Sequence, residues 1–458
     1  MAEFPELKEA LRKWTVEVVA SLADDRTARH VGIGWPQWGC DPDGIFRDIA
    51  RPMGGWDYRN LDRFKYLASW PSVIKVLLDD DQLSRQIDTL VGTAQGGLRL
   101  EAFNIAVQVL PGPDELSRVD EAFEDRYDQL EAFLTANELD FKAIWPVPGL
   151  IVDGIPLQLE PEIELDGMTD RELAVALRTE IIRPPFSSAK LFQASPADRT
   201  CFRYRYRLTK MVGSHDEESA AQVQELEQRL QDIRATIEES LALVLPEPMM
   251  TAGRFAISGD RWSPLSGGVT FQQATMPRSA RARRVQMDTQ LVTDLQEVWR
   301  YMSRRSLLER HKGLALALRR LSYQAQRERP EDELLDTMIA AEALYLTGLG
   351  SESYRGELRY RLALRAALWA DGPQLGLSKR DVLKLMQSAY DVRSAIAHGG
   401  TPNPKIMKIQ DRRIELSELV KSTRMVVSTG CRRALAVAAT SDAGWPPNWD
   451  ELVLGDRV

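Results

Sequence analysis

Arg393 and His398 are the two residues whose types and spacing propose chemistry. They lie in YDVRSAIAHGG, residues 390–400, with four residues between them. A guanidinium holds an anion through paired N–H donors and stays charged at any physiological pH. Histidine, as a residue type, titrates near neutral pH and can give or take a proton. On a helix Tyr390, Ser394 and His398 share one stripe, and Arg393 borders it, roughly 140° round from His398. The pair therefore does not stack, but a long guanidinium and an imidazole on the final turn can converge on one anion. The hydroxyls of Tyr390 and Ser394 either support that anion and the imidazole or close the helix packing.

The helix that positions them reads from its caps. Ser378 is an N-cap with Asp381 three residues on, the reciprocal arrangement of a capping box. Val382, Leu385, Ala389, Val392 and Ile396 fall on one face at helical spacing and predict a core stripe. Gly399-Gly400 and Pro402 stop the element.

At 458 residues with 44% hydrophobic and 28% charged composition, the chain predicts two or three globular domains. No apolar run is long enough for a membrane span, and MAEFPELKEALRKW lacks the apolar stretch of a signal peptide. Three scattered cysteines, Cys40, Cys201 and Cys431, fit a reducing cytoplasm rather than a disulfide framework. The four histidines have no ligand spacing, so no metal and no cofactor is expected. The net charge of −8 divides unevenly, since residues 278–458 hold 30 Lys and Arg against 22 Asp and Glu. Residues 1–277 hold 29 against 45. A basic C-terminal third suits a polyanion partner; solvated helix faces explain the same charges.

The chain reads as an α+β multidomain protein. Residues 1–137 are mostly helical, with a first helix marked by Leu7, Leu11, Trp14, Val18 and Leu22. Trp14, Trp35, Trp38, Trp56 and Trp70 gather there, either as core or as exposed stacking surfaces. Residues 138–287 form a β-rich middle domain. Within it Thr169 caps a short helix, and CFRYRYRL at 201–208 alternates as a strand. Phe202, Tyr204, Tyr206 and Leu208 take one face of that strand; Arg203, Arg205 and Arg207 take the other, which is either a wet face or a nucleic-acid contact. A long helix over 216–245 carries a coiled-coil-like seam that pairs with a second copy or packs on its own domain. RFAISGDRW and GGVTFQQATM return as strands. Residues 288–458 make about six helices with short connections, a helical bundle.

The succession LALRRLSYQAQRERPEDELLDTMIAAEALYL, then RLALRAALWA, then Y-x-x-R-S-x-I-x-H-G over residues 390–399 resembles the HEPN superfamily, within it the Apea-like group. The resemblance covers roughly residues 290–440. It implies a metal-independent endoribonuclease that works as a homodimer or higher homo-oligomer, with Arg393 and His398 catalytic. RNA carries its own nucleophile, the 2′-hydroxyl. An imidazole can move protons at the 2′- or 5′-oxygen while the arginine offsets charge in the transition state. The products would be a 2′,3′-cyclic phosphate and a 5′-hydroxyl. Glu342, carried over from the family pattern, would orient the Arg or the His, or form a structural salt bridge. Arg365, Arg319 and Arg320 are further candidate RNA contacts.

The resemblance also implies an antiviral-defence or toxin effector, with RNA as substrate and a phage-derived or antitoxin partner as trigger. It implies a sensing or regulatory role for the N-terminal region and the β-rich middle region, 138–287. The reading from a different class is a non-catalytic HEPN-like adaptor that dimerises and binds RNA or a protein partner. Spacing alone does not mark Arg393 and His398 as a site, because Arg305 and His311 form a similar pair without the surrounding residues or the glycine stop.

Overall fold

The computed structural model describes residues 3–23, 37–40, 45–49, 62–86, 90–91, 98–99, 102–111, 117–152, 156–178, 181–182, 191–193, 195–209, 217–258, 271–273, 283–347, 355–370, 375–410, 412–440 and 444–454. The protein is mixed α+β, with a β-sheet in the middle of the chain and helices at its C-terminal end. It forms two compact units. One takes Met1–Pro146, Glu160–Gln231 and Gly253–Ala274; the other takes Val147–Leu159, Asp232–Ala252 and Thr275–Val458.

In the first unit, α1 (Pro5–Ala23), α2 (Trp70–Asp79) and α3 (Val119–Thr135) share a core. The spacing of Leu7, Leu11, Trp14 and Val18 accounts for it, since all four are buried on one face. Trp14 and Trp70 are core residues, 5.4 Å apart, and the Trp14 indole donates to the Phe64 carbonyl. Trp35 and Trp56 lie outside the described residues, as does the side chain of Trp38. The region also holds strands the sequence did not suggest, Gln37–Cys40 and Ile45–Ile49, which pair antiparallel.

The sheet has six strands: β1 (Glu138–Pro146), β2 (Leu157–Glu160), β3 (Ile163–Gly167), β4 (Thr200–Thr209), β5 (Gly253–Ser258) and β6 (Phe271–Gln273). Their order is β6-β5-β1-β4-β3-β2. β4 pairs with β1 along its whole length, Cys201 opposite Pro146 through Thr209 opposite Glu138. Its pairing with β3 stops at Tyr204 opposite Ile163. Between these strands runs α4 (Asp170–Arg178), which Thr169 and Glu172 start by exchanging hydrogen bonds as a capping box does.

The alternation of 201–208 places its aromatics as expected, with Phe202, Tyr204 and Tyr206 buried. The arginine face is not uniformly wet. Arg203 is 5% exposed and reaches Glu164 on β3 and Glu172 on α4, the latter at 3.0 and 2.7 Å. A buried charge persists only when paired, and these carboxylates are its pair. Arg205 and Arg207 are exposed but bound, to Glu164 and Asp140 respectively. The long helix α5 (Glu217–Val244) follows. Leu230, Ile233, Ile237 and Leu241 of its seam are buried within the chain itself.

In the second unit, α6 (Thr289–Met302), α7 (Lys312–Tyr323), α8 (Pro330–Tyr345), α9 (Arg355–Trp369), α10 (Lys379–Ala397) and α11 (Leu416–Thr440) match the expected helices. Two short helices, Arg305–Arg310 and Trp449–Leu454, join them; each is too brief to show a hydrophobic period. α8 packs against α7, α10 and α11, and α9 packs along α10. The approach of α11 to α8 depends on Gly430. A Cβ there would lie 2.1 Å from the Tyr345 hydroxyl, which donates to the Val426 carbonyl. Buried arginines serve helix C-termini, where carbonyls have no partner inside the helix. Arg424 donates to the carbonyls of Ala242, Leu245 and Pro246 at the end of α5. Among the described residues no helix is long and apolar enough to cross a membrane.

Candidate active site at the end of helix α10

The local sequence builds α10 as read. Ser378 and Asp381 form the capping box, and the side chains of Val382, Leu385, Ala389 and Val392 are buried. Ile396 is only half-buried, because the last turn rises out of the bundle. Asp391, on the other side, holds Arg359 of α9 through two 2.7 Å hydrogen bonds. This bidentate pair fixes α10 against α9 one turn before the site.

The helix ends at His398. Its N–H donates to the Ser394 carbonyl, Gly399 takes a left-handed φ of 74°, and Gly400 donates back to the Ala395 carbonyl at 2.8 Å. Glycine adopts that φ without steric cost. The result is an exposed imidazole at the C-terminal rim of the helix. Tyr390 and Ser394 are half-buried beside it.

Arg393 leans toward the bundle. Its Nη2 lies 3.4 Å from Glu342 Oε2 on α8, at the outer limit of a hydrogen bond. Its Nε is buried without a hydrogen-bond partner among the described residues. Arg393 and Glu342 are both partly open, at 28% and 29% side-chain exposure. Burial pushes the Glu342 carboxyl above the usual range, and the guanidinium of Arg393 pulls it back. Among the described residues, most of the guanidinium's five donors have no acceptor.

Beyond the glycines, the chain turns into a hairpin, Lys408–Ile409 pairing with Arg412–Arg413. Ser388 of α10 donates its hydroxyl to the Ile406 carbonyl, and Met407 and Ile414 are buried beneath. The hairpin is thus tied to the site helix. Lys405, Lys408 and Arg413 are exposed, and Lys408 stands directly across the ladder from Arg413. Like charges in that position repel, an arrangement that an anion between them would relieve. Sequence reasoning missed this element: its strands are two residues each, and Gln410-Asp411 is a weak turn signal.

The remaining sequence candidates are placed elsewhere. Arg365 is buried, donates to the Tyr345 carbonyl at 2.8 Å and lies over the Trp449 ring, capping α8. Arg320 binds the buried Asp336 together with Arg327. Arg319 is exposed. Among the described residues, no hydrogen bond or ion pair links any of the three to Arg393 or His398. His311 sits between two helices, its imidazole held below the usual range by burial and by Arg310.

Among the described residues no group of three or more His, Cys, Asp or Glu side chains is placed to hold a metal. Comparison with known proteins gave no match to any family model, any curated protein or any solved structure.

Proposed function

We propose that the C-terminal bundle is a metal-independent endoribonuclease of the HEPN type, acting through Arg393 and His398 at the end of α10. One observation carries the reading: an exposed imidazole follows, at the same helix terminus, a guanidinium whose one side-chain contact among the described residues is 3.4 Å long. A structural arginine in this protein looks different. Arg203, Arg365 and Arg424 are buried, with short hydrogen bonds to carboxylates or carbonyls.

In this mechanism the substrate 2′-oxygen loses its proton to an imidazole and attacks the neighbouring phosphorus. The bond to the 5′-oxygen breaks, and that oxygen takes a proton as it leaves. Arg393 holds the non-bridging oxygens, where negative charge grows. A homodimer would supply two imidazoles, one as base and one as acid. Glu342 would orient Arg393, and Ser394 and Tyr390 would support the imidazole or the phosphate. The basic hairpin, with Lys408 opposite Arg413, would carry the neighbouring phosphates.

The wider setting is a cytoplasmic defence or toxin effector, with the N-terminal and β-rich regions sensing the trigger. The test is RNA cleavage by the full chain and by Arg393→Ala and His398→Ala variants of unchanged fold. Cleavage lost in both supports the nuclease; RNA binding that never leads to cleavage points to the adaptor.

A further inference from the structure

A groove of about 1140 Å³ lies in the first unit between the far end of β4 and the opening turns of α5. Its floor is a strand edge. Arg205 donates its backbone N–H to the Glu162 carbonyl, and no described strand pairs with β4 on that side beyond it. Antiparallel backbone groups alternate in direction. The N–H and C=O of Arg207 therefore point into the groove, as do the Arg205 carbonyl and the Thr209 N–H. On the opposite side the alternate residues, Tyr206 and Leu208, turn their backbone groups to β1, whose register with β4 continues to Thr209.

The walls differ. Toward α5 the groove meets Tyr206, Leu208 and Leu226. Tyr206 is sandwiched between the rings of Phe141 and Tyr204, at 5.6 Å from each, and Arg229 of α5 braces Tyr204 through its hydroxyl at 2.9 Å. Leu208 and Leu226 are half-open. The opposite wall carries Arg205 and Arg207, but Glu164 and Asp140 neutralise them within the sheet. A polyanion gains little there.

We infer that this groove binds an extended peptide segment, which adds as a strand to the 205–209 edge of β4 in line with β3. An open row of alternating donors and acceptors is matched by another extended backbone, and pockets for every second side chain add selectivity. The peptide's inward residues are apolar or aromatic, facing Tyr206, Leu208 and Leu226. This site is independent of Arg393 and His398, so it stands or falls apart from the nuclease reading.

The experiment is to pan a displayed library of random short linear peptides on the full-length chain and titrate an enriched peptide by fluorescence anisotropy. Arg207→Pro removes the central N–H while leaving the ladder to β1 intact, because proline is tolerated at strand edges. The expected loss is about tenfold, the scale of one backbone hydrogen bond. Peptides N-methylated at alternate positions, titrated against the unaltered protein, give the same answer without any variant: one register abolishes binding and the other spares it. Three results would overturn the proposal. No peptide enriches; binding tolerates N-methylation in both registers; or the amides of 207 and 209 already exchange slowly in the free protein, the edge being occupied by its own chain or a second copy.

Discussion

Glu342 on α8 and Arg393 on α10 approach to 3.4 Å, yet the carboxyl titrates above its ordinary range. Burial outweighs the guanidinium. A raised carboxyl binds its proton more tightly in the folded state than in the unfolded state. Its relative stabilisation is complete below the unfolded value and is lost as pH rises through the folded one. Glu342→Gln is therefore expected to leave stability equal or higher at neutral pH and to flatten its decline above the ordinary glutamate range. Urea unfolding of both proteins across that range checks this; a large loss at neutral pH would show the ion pair to be strongly stabilising instead.

Gly430 is where α11 meets Tyr345. Gly430→Ala places a methyl 2.1 Å from the tyrosine hydroxyl, inside a fully buried contact. The Trp369 indole also donates to the Gly430 carbonyl, so α11 has little room to shift. Overpacking of this kind costs about 1–3 kcal/mol. A lower urea midpoint with an unchanged slope is the expected result.

Arg203 holds two buried carboxylates. Burial alone would raise Glu164, but the hydrogen bond and charge of Arg203 bring it below the usual range. A depressed carboxyl adds stability above its unfolded value and loses it as pH falls through the folded one. Acid is therefore expected to weaken the β-rich region. Arg203→Met, which strands Glu164 and Glu172, should cost about 3–5 kcal/mol at neutral pH, read by urea unfolding followed through the sheet's circular dichroism.

The hairpin gives a binding prediction. In a His398→Ala background, Lys408→Glu with Arg413→Glu should weaken single-stranded RNA and reduce the slope of log affinity against log salt. Two lost phosphate contacts on a single strand correspond to a slope change of about 1.4. An unchanged slope would remove the hairpin from the RNA path.

Much of this was legible where local chemistry decides. Ser378 and Asp381 announce the start of α10, Gly399 its end, and Phe202, Tyr204 and Tyr206 the buried face of β4, because caps and alternation act within a few residues. Long-range partners were not legible. Arg203 looks like Arg205 in sequence, and only the arrival of Glu172 from α4 buries it. Arg365 looked like a cation for RNA, until the carbonyl of Tyr345 and the ring of Trp449 enclosed it. Asp391 gave no sign that it would fix α9 to α10. Pairings across tens of residues follow from topology, which periodicity does not encode.

The most direct test is to sequence the RNA ends made when the full chain is expressed in cells, beside the Arg393→Ala and His398→Ala variants. The expected result is new ends bearing 2′,3′-cyclic phosphate and 5′-hydroxyl groups, reduced about 10²- to 10⁴-fold by His398→Ala and lost with Arg393→Ala. Ends with a 5′-phosphate, or cleavage unchanged in both folded variants, would contradict the assignment of the chemistry to this helix terminus.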